Sequence, residues 1–197
     1  MSAWLRSHYA SSASASKIGV DPKLYSVTEF ESLRNELKTE KLQQQQQSQE
    51  PSSSSNIELV PLPINLIDEV WGSERPGAPD GKIFVLPKEF TGLDTNQKLE
   101  LIRQEMKKEN CTHLVLTALD EIAWLLNMRG SDINFNPYFM SYVLLSMSQV
   151  HLYVNCEKFE HDTMVTEHLD QSNVIVRPYE SFMDDLRNHH HQIDLAP

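Results

Sequence analysis

Arg129 carries the clearest chemical potential in this chain. A guanidinium presents a rigid fork of N–H donors that fits a carboxylate or a carbonyl. The same residue, followed by Gly130, also suits a helix C-terminus: its charge complements the dipole, and glycine supplies a left-handed cap. Both readings stay open on sequence. Asp120 and Glu121 resemble an acid/base pair, but adjacent helical residues point about 100° apart and do not converge on one substrate. They read instead as charges at a helix start. Asp132 is placed either to pair with Arg129 or to face another domain. His189, His190 and His191 run consecutively near a polar C-terminus. Metal ligands need fixed geometry and supporting partners, so this run is expected to bind metal only adventitiously. His151, His161 and His168 stand in no zincin, EF-hand or CxxC context. No Gly-rich phosphate loop, nucleophile elbow or kinase signature appears, and six glycines leave little material for one.

These residues need a scaffold, and periodicity supplies one. Leu119, Ile122, Ala123 and Leu126 fall at i, i+3, i+4 and i+7, a helical face that starts with Asp120 and Glu121 and is closed by Arg129-Gly130. An apolar strand over 113–117 precedes it. Strands over 139–145 and 150–154 are joined too tightly to be parallel. Further strands are expected at 17–20, 57–61, 83–86 and 174–176. Helices are expected at 65–71, 94–110, 164–169 and 179–186. Ser26-Val27-Thr28-Glu29 is a capping box opening a helix with Phe30, Leu33 and Leu37 on one face. The fold class is therefore α/β, a mixed β-sheet flanked by helices.

Organisation follows from composition. Residues 1–16 are rich in Ser and Ala and read as a residual or disordered segment, with only a weak likeness to a transit peptide. One domain is expected over 17–187, interrupted by a low-complexity loop at 42–56 that holds five consecutive glutamines and four serines. Residues 188–197 read as a disordered tail. A net charge of −11 disfavours nucleic acid, whose phosphates demand clustered Lys and Arg. No apolar run approaches the length that spans a bilayer, so no membrane role is expected. The two cysteines, Cys111 and Cys156, lie far apart, as free thiols of a reducing compartment would.

The segment from Thr117 to Asp132, TALDEIAWLLNMRGSD, closely resembles a signature of the three-domain cytosolic Xaa-Pro aminopeptidases, and its continuation Asn136-Pro137-Tyr138-Phe139-Met140-Ser141-Tyr142 matches too. So do Ile18 to Pro22 (IGVDP), Asn65 to Trp71 (NLIDEVW) and Arg75-Pro76, in the family's order. The likeness covers roughly 17–186 and implies the second of two creatinase-type N-terminal domains, with Trp4-Leu5-Arg6 resembling the end of the first. In that family a dinuclear metal site, of manganese, uses two aspartates, a histidine and two glutamates in a third, pita-bread domain. The resemblance stops before that domain, so no residue here inherits a ligand role, and no cofactor is expected in this chain. By itself the chain is expected to be inactive.

The resemblance further implies a cytoplasmic enzyme that removes the residue preceding proline from proline-containing peptides. It implies a metallopeptidase catalytic domain as partner, in cis or in trans, with a homodimer also compatible. The loop from Arg129 through Asp132 to Asn136 would then form a substrate-side or domain-facing wall. Trp124 would either stack on substrate or, as its helical position favours, be buried. The Gln/Ser insertion departs from the family pattern. A freestanding interaction module, or a remnant that keeps the fold, is the alternative. A domain built to pack on another should also expose an apolar patch.

Overall fold

The computed structural model describes residues 1–9, 16–44 and 57–193. They divide into two compact units, Met1–Pro76 and Gly77–Pro197, inside a span expected to be one domain. The boundary falls in the stretch Arg75-Pro76-Gly77-Ala78-Pro79, where each proline removes a backbone donor.

The first unit holds α1 (Ser2–Tyr9), β1 (Ser16–Val20), α2 (Val27–Gln44), β2 (Ile57–Pro61) and α3 (Leu66–Trp71). Residues 2–9 are helical where a residual or disordered segment was expected, and Trp4 stacks on His8 one turn later at 4.1 Å. β1 and β2 pair in parallel, Ser16 opposite Ile57 through Val20 opposite Pro61, so the chain between them must cross over through α2. The expected capping box opens α2: Glu29 N–H donates to Ser26 Oγ at 3.2 Å, and Ser26 N–H to Glu29 Oε2 at 2.9 Å. Leu33 and Leu37 are buried beneath it. The helix runs on through Gln44, into the expected loop, and the rest of that loop lies outside the described residues. α3 is capped by Asn65, whose Oδ1 accepts from Ile67 N–H at 2.8 Å. None of its residues is buried, so Leu66, Ile67, Val70 and Trp71 are all displayed.

The second unit holds β3 (Ile83–Val85), α4 (Lys88–Thr91), α5 (Thr95–Lys108), β4 (His113–Leu116), α6 (Leu119–Leu125) and β5 (Met128–Gly130). It continues with β6 (Ser141–Ser146), β7 (Val150–Val154), α7 (Thr163–Gln171), β8 (Val174–Arg177) and α8 (Phe182–Ile193). Its main sheet runs β4-β6-β7-β8, the first two pairings antiparallel and the third parallel. This is the mixed sheet flanked by helices that the sequence predicts.

Alternation sets its two faces. Val143, Leu145, Val150, Leu152 and Val154 join Leu99, Met106, Ile122, Leu125, Val165 and Leu169 in the main core. Leu144 and Tyr153 point the other way and pack with Phe182 of α8. That helix runs to Ile193, past the point where a tail from residue 188 was expected, its start anchored by Phe182 and Leu186. A small antiparallel sheet joins β3 to β5, Phe84 opposite Arg129. The latter strand stands where the end of the preceding helix was expected.

A candidate interface on β5 and its arm

α6 buries Ile122, Ala123 and Leu125, and the chain leaves it through Asn127 at φ 51°. The left-handed residue is thus Asn127, not Gly130; asparagine is among the few residues that tolerate this conformation. It is 3% exposed and its amide is engaged: Nδ2 donates to the Leu93 carbonyl at 2.8 Å, and Oδ1 accepts from Lys98 Nζ at 2.5 Å. Gly130 has a different task. A Cβ there would lie 2.6 Å from Cβ of Phe139, so glycine is what allows the two backbones to approach.

Two cations converge on the end of α6. Lys98 of α5, 2% exposed, donates to the Trp124 carbonyl at 2.7 Å and sits 4.5 Å from the centroid of the Trp124 ring. Arg129 Nη1 donates to the carbonyls of Ala123 at 2.7 Å and Met128 at 2.8 Å. Positive charge here complements the helix dipole. Burial first, and the Arg129 charge second, hold Lys98 below the usual lysine pKa.

Among the described residues neither cation has a carboxylate within ion-pair distance, and Arg129 Nε and Nη2 have no hydrogen-bond partner. Trp124 is 47% exposed, against the expected burial, because α6 turns its other side to the core. Phe84, across from Arg129 on the partner strand, is 49% exposed.

Beyond β5 the chain forms a short arm. Gly130 N–H donates to the Pro137 carbonyl at 3.2 Å, Asp132 N–H to that of Tyr138 at 3.1 Å, and Asn136 N–H to that of Ile133 at 3.1 Å. At the tip Phe135 has φ 65° and is fully exposed. The exposed Asn136 donates its amide to the Asn134 carbonyl at 3.2 Å.

Asp132 fastens the base of this arm. Its side chain is wholly buried; Oδ1 accepts from Gly81 N–H at 3.0 Å, and Oδ2 from Met140 N–H at 2.6 Å and Lys158 Nζ at 2.5 Å. It therefore neither pairs with Arg129 nor faces outward, the two placements expected of it. Buried carboxylates need donors, and here two backbone amides and a buried ammonium supply them.

The remaining candidates fall elsewhere. Asp120 and Glu121 sit in the first turn of α6. His168 Nε2 lies 2.7 Å from the Leu126 carbonyl, a contact that ties α7 to the end of α6. His151 is on β7, and His161 lies 3.7 Å from Glu160. His189 to His191 lie in α8, with side chains outside the described ones. Among the described residues no three His, Cys, Asp or Glu converge as a metal site.

Lys98, Lys158 and Phe135 were missed on sequence. A signal existed for the first: Thr95, Lys98, Leu99, Ile102 and Met106 share one helical stripe, which places that lysine on the buried face.

A match to the creatinase/prolidase N-terminal domain family spans residues 74–195. The chain is 37% identical over 179 residues to a probable Xaa-Pro aminopeptidase P of Fusarium vanettenii, covering 91% of itself and 26% of that protein. It is 38% identical over 164 residues to the Xaa-Pro aminopeptidase ApepP of Drosophila melanogaster, covering 83% and 24%. The crystal structure of a Caenorhabditis elegans X-prolyl aminopeptidase, a cytosolic enzyme with a dinuclear active site, superposes with a TM-score of 0.71 at 34% identity. That match covers 90% of this chain and 26% of the worm chain. The chain thus spans about a quarter of the length of the relatives it resembles.

Proposed function

Because this chain belongs to the creatinase/prolidase N-terminal domain family, we propose that it serves an Xaa-Pro aminopeptidase as a non-catalytic domain that packs on the metallopeptidase part and narrows access to it. One observation carries this reading. Phe84, Trp124 and Phe135 are exposed together on β3, the end of α6 and the arm, with Arg129 in register opposite Phe84 and bonded to the Ala123 carbonyl; the unit's other exposed apolar side chains, Phe90, Leu101 and Met164 among them, stand on other elements. Aromatic residues and arginine are the types enriched at the centres of protein interfaces. A partner surface is the setting in which their exposure is relieved.

In this proposal the reaction belongs to the partner. There a dinuclear site, of manganese, would supply an activated water and a Lewis acid for cleaving a proline-containing peptide in the cytoplasm, and no residue of this chain would hold it. This chain's residues contribute shape. Arg129 and Trp124 form the wall, Asn136 and Phe135 its projecting edge, and Asp132 holds that edge in place. Such a wall admits short, extended peptide ends and excludes folded chains.

The test is hydrolysis of Xaa-Pro dipeptides and tripeptides with added manganese, comparing this chain alone with the chain joined to the metallopeptidase part of a relative. Activity only in the joined form is expected. Activity in this chain alone overturns the reading. A folded but inactive joined form favours a freestanding interaction module instead.

A further inference from the structure

The unpaired charge at the end of α6 makes the partner's chemistry specific. At Lys158 the fold pairs a buried cation with a buried carboxylate, Asp132. Among the described residues, Lys98 and Arg129 meet only carbonyl oxygens, an amide oxygen and a ring face, although the chain holds 28 acidic residues against 17 basic ones. The missing counterion is therefore not a matter of shortage. Arg129 is clamped through Nη1 alone, which fixes the plane of its guanidinium and leaves the Nε–Nη2 edge open. That edge is the one that takes a carboxylate in two parallel hydrogen bonds. Phe84, in register opposite Arg129, and Trp124, next in the chain to the Ala123 whose carbonyl Arg129 holds, are the aromatic side chains that could exclude water from such a pair.

We infer that the open edge of Arg129 receives an aspartate or glutamate side chain from the metallopeptidase part, seated between Trp124 and Phe84. This rests on the packing role proposed above. A bound carboxylate supplies the negative charge that Lys98 and Arg129 both lack, and it fixes the register of the domain on its partner. On a chain with net charge −11, a cation whose open edge meets no carboxylate among the described residues is a favoured seat for an acidic side chain, which would bias the docking orientation.

The experiment follows amide hydrogen exchange by mass spectrometry over peptides spanning 81–86 and 119–130. It compares the free 197-residue chain with the chain joined to the metallopeptidase part of the worm enzyme. Joining is expected to slow exchange in both peptides by about tenfold or more, and 1 M NaCl to remove part of that protection. Arg129→Met should remove the salt-sensitive part, and Arg129→Glu should remove more, because repulsion replaces attraction. Trp124→Ala should remove the salt-independent part. Each variant is referenced to itself in the free chain, so a local folding defect does not masquerade as lost docking, and Arg129→Lys should keep part of the salt-sensitive gain. Protection that ignores salt and survives Arg129→Met, yet falls in Trp124→Ala, overturns the carboxylate while leaving the packing role intact. Absence of any protection on joining overturns both.

Discussion

The second unit buries two lysines in opposite ways. Lys158 meets a carboxylate that is itself held by two backbone amides, so charge, counterion and remaining acceptor capacity all close within the fold. Lys98 is as deeply buried but, among the described residues, meets only neutral acceptors and the face of a half-exposed tryptophan, with another cation nearby. Desolvating a charge costs several kcal/mol unless a partner recovers it. The first arrangement is self-sufficient and makes the arm rigid. The second is left open at the surface where a partner is proposed to sit, and the contrast separates a charge kept for structure from one kept for recognition.

Substitutions can break this contrast. Lys158→Met should destabilise the chain by about 3–5 kcal/mol in urea unfolding, because it strands the Asp132 carboxylate in the interior. Lys98→Met removes a cation that no carboxylate among the described residues balances, so it should cost only about 1 kcal/mol in the same assay, mainly through the acceptor left on Asn127. If the two losses come out equal, the distinction between the sites fails.

Titration sharpens the contrast. Lys98 binds its proton less well folded than unfolded, so between its lowered pKa and the unfolded value near 10.4 the unfolded chain holds more protons and stability rises with pH. Above about pH 10 the sign reverses at Tyr153: burial first, then the Asp185 charge, pushes its phenol up to about 12, so stability falls as pH climbs through that range. Unfolding midpoints measured from pH 8 to 12 should show the rise in the native chain and its loss in Lys98→Met.

The smallest expected effect is at the arm tip. Phe135→Gly relieves a left-handed φ at an aromatic residue and should raise stability by about 0.5–1 kcal/mol, read by thermal unfolding. A loss there would mean that the phenyl ring is held by the chain itself rather than displayed.

What the sequence disclosed follows from the range of the forces involved. The Ser26–Glu29 box, the apolar stripe of α6 and the β6–β7 hairpin are written within a few neighbouring residues, and each stands where its pattern placed it. β5 has three residues, too few to show a period, and it exists because Phe84 lies opposite Arg129 from far upstream in the chain. The helix end was misread because glycine is the commoner left-handed residue, whereas Asn127 was chosen for an amide that reaches Leu93 and Lys98. Of the site, Arg129, Trp124 and Asn136 were legible by type, but not that Trp124 stays exposed. The role of Asp132 depended on Gly81, Met140 and Lys158, three partners scattered along the chain that no local pattern names.

The order of the main sheet also has a kinetic meaning. Its two middle strands, β6 and β7, are adjacent in sequence and separated by only Met147, Ser148 and Gln149, so closing them costs little chain entropy. β4 and β8 reach the edges only through much longer connections. A sheet arranged this way grows outward from a local hairpin, as nucleation around the shortest loop favours. Changes in the middle pair should therefore slow refolding, whereas changes in β4 or β8 should mainly hasten unfolding.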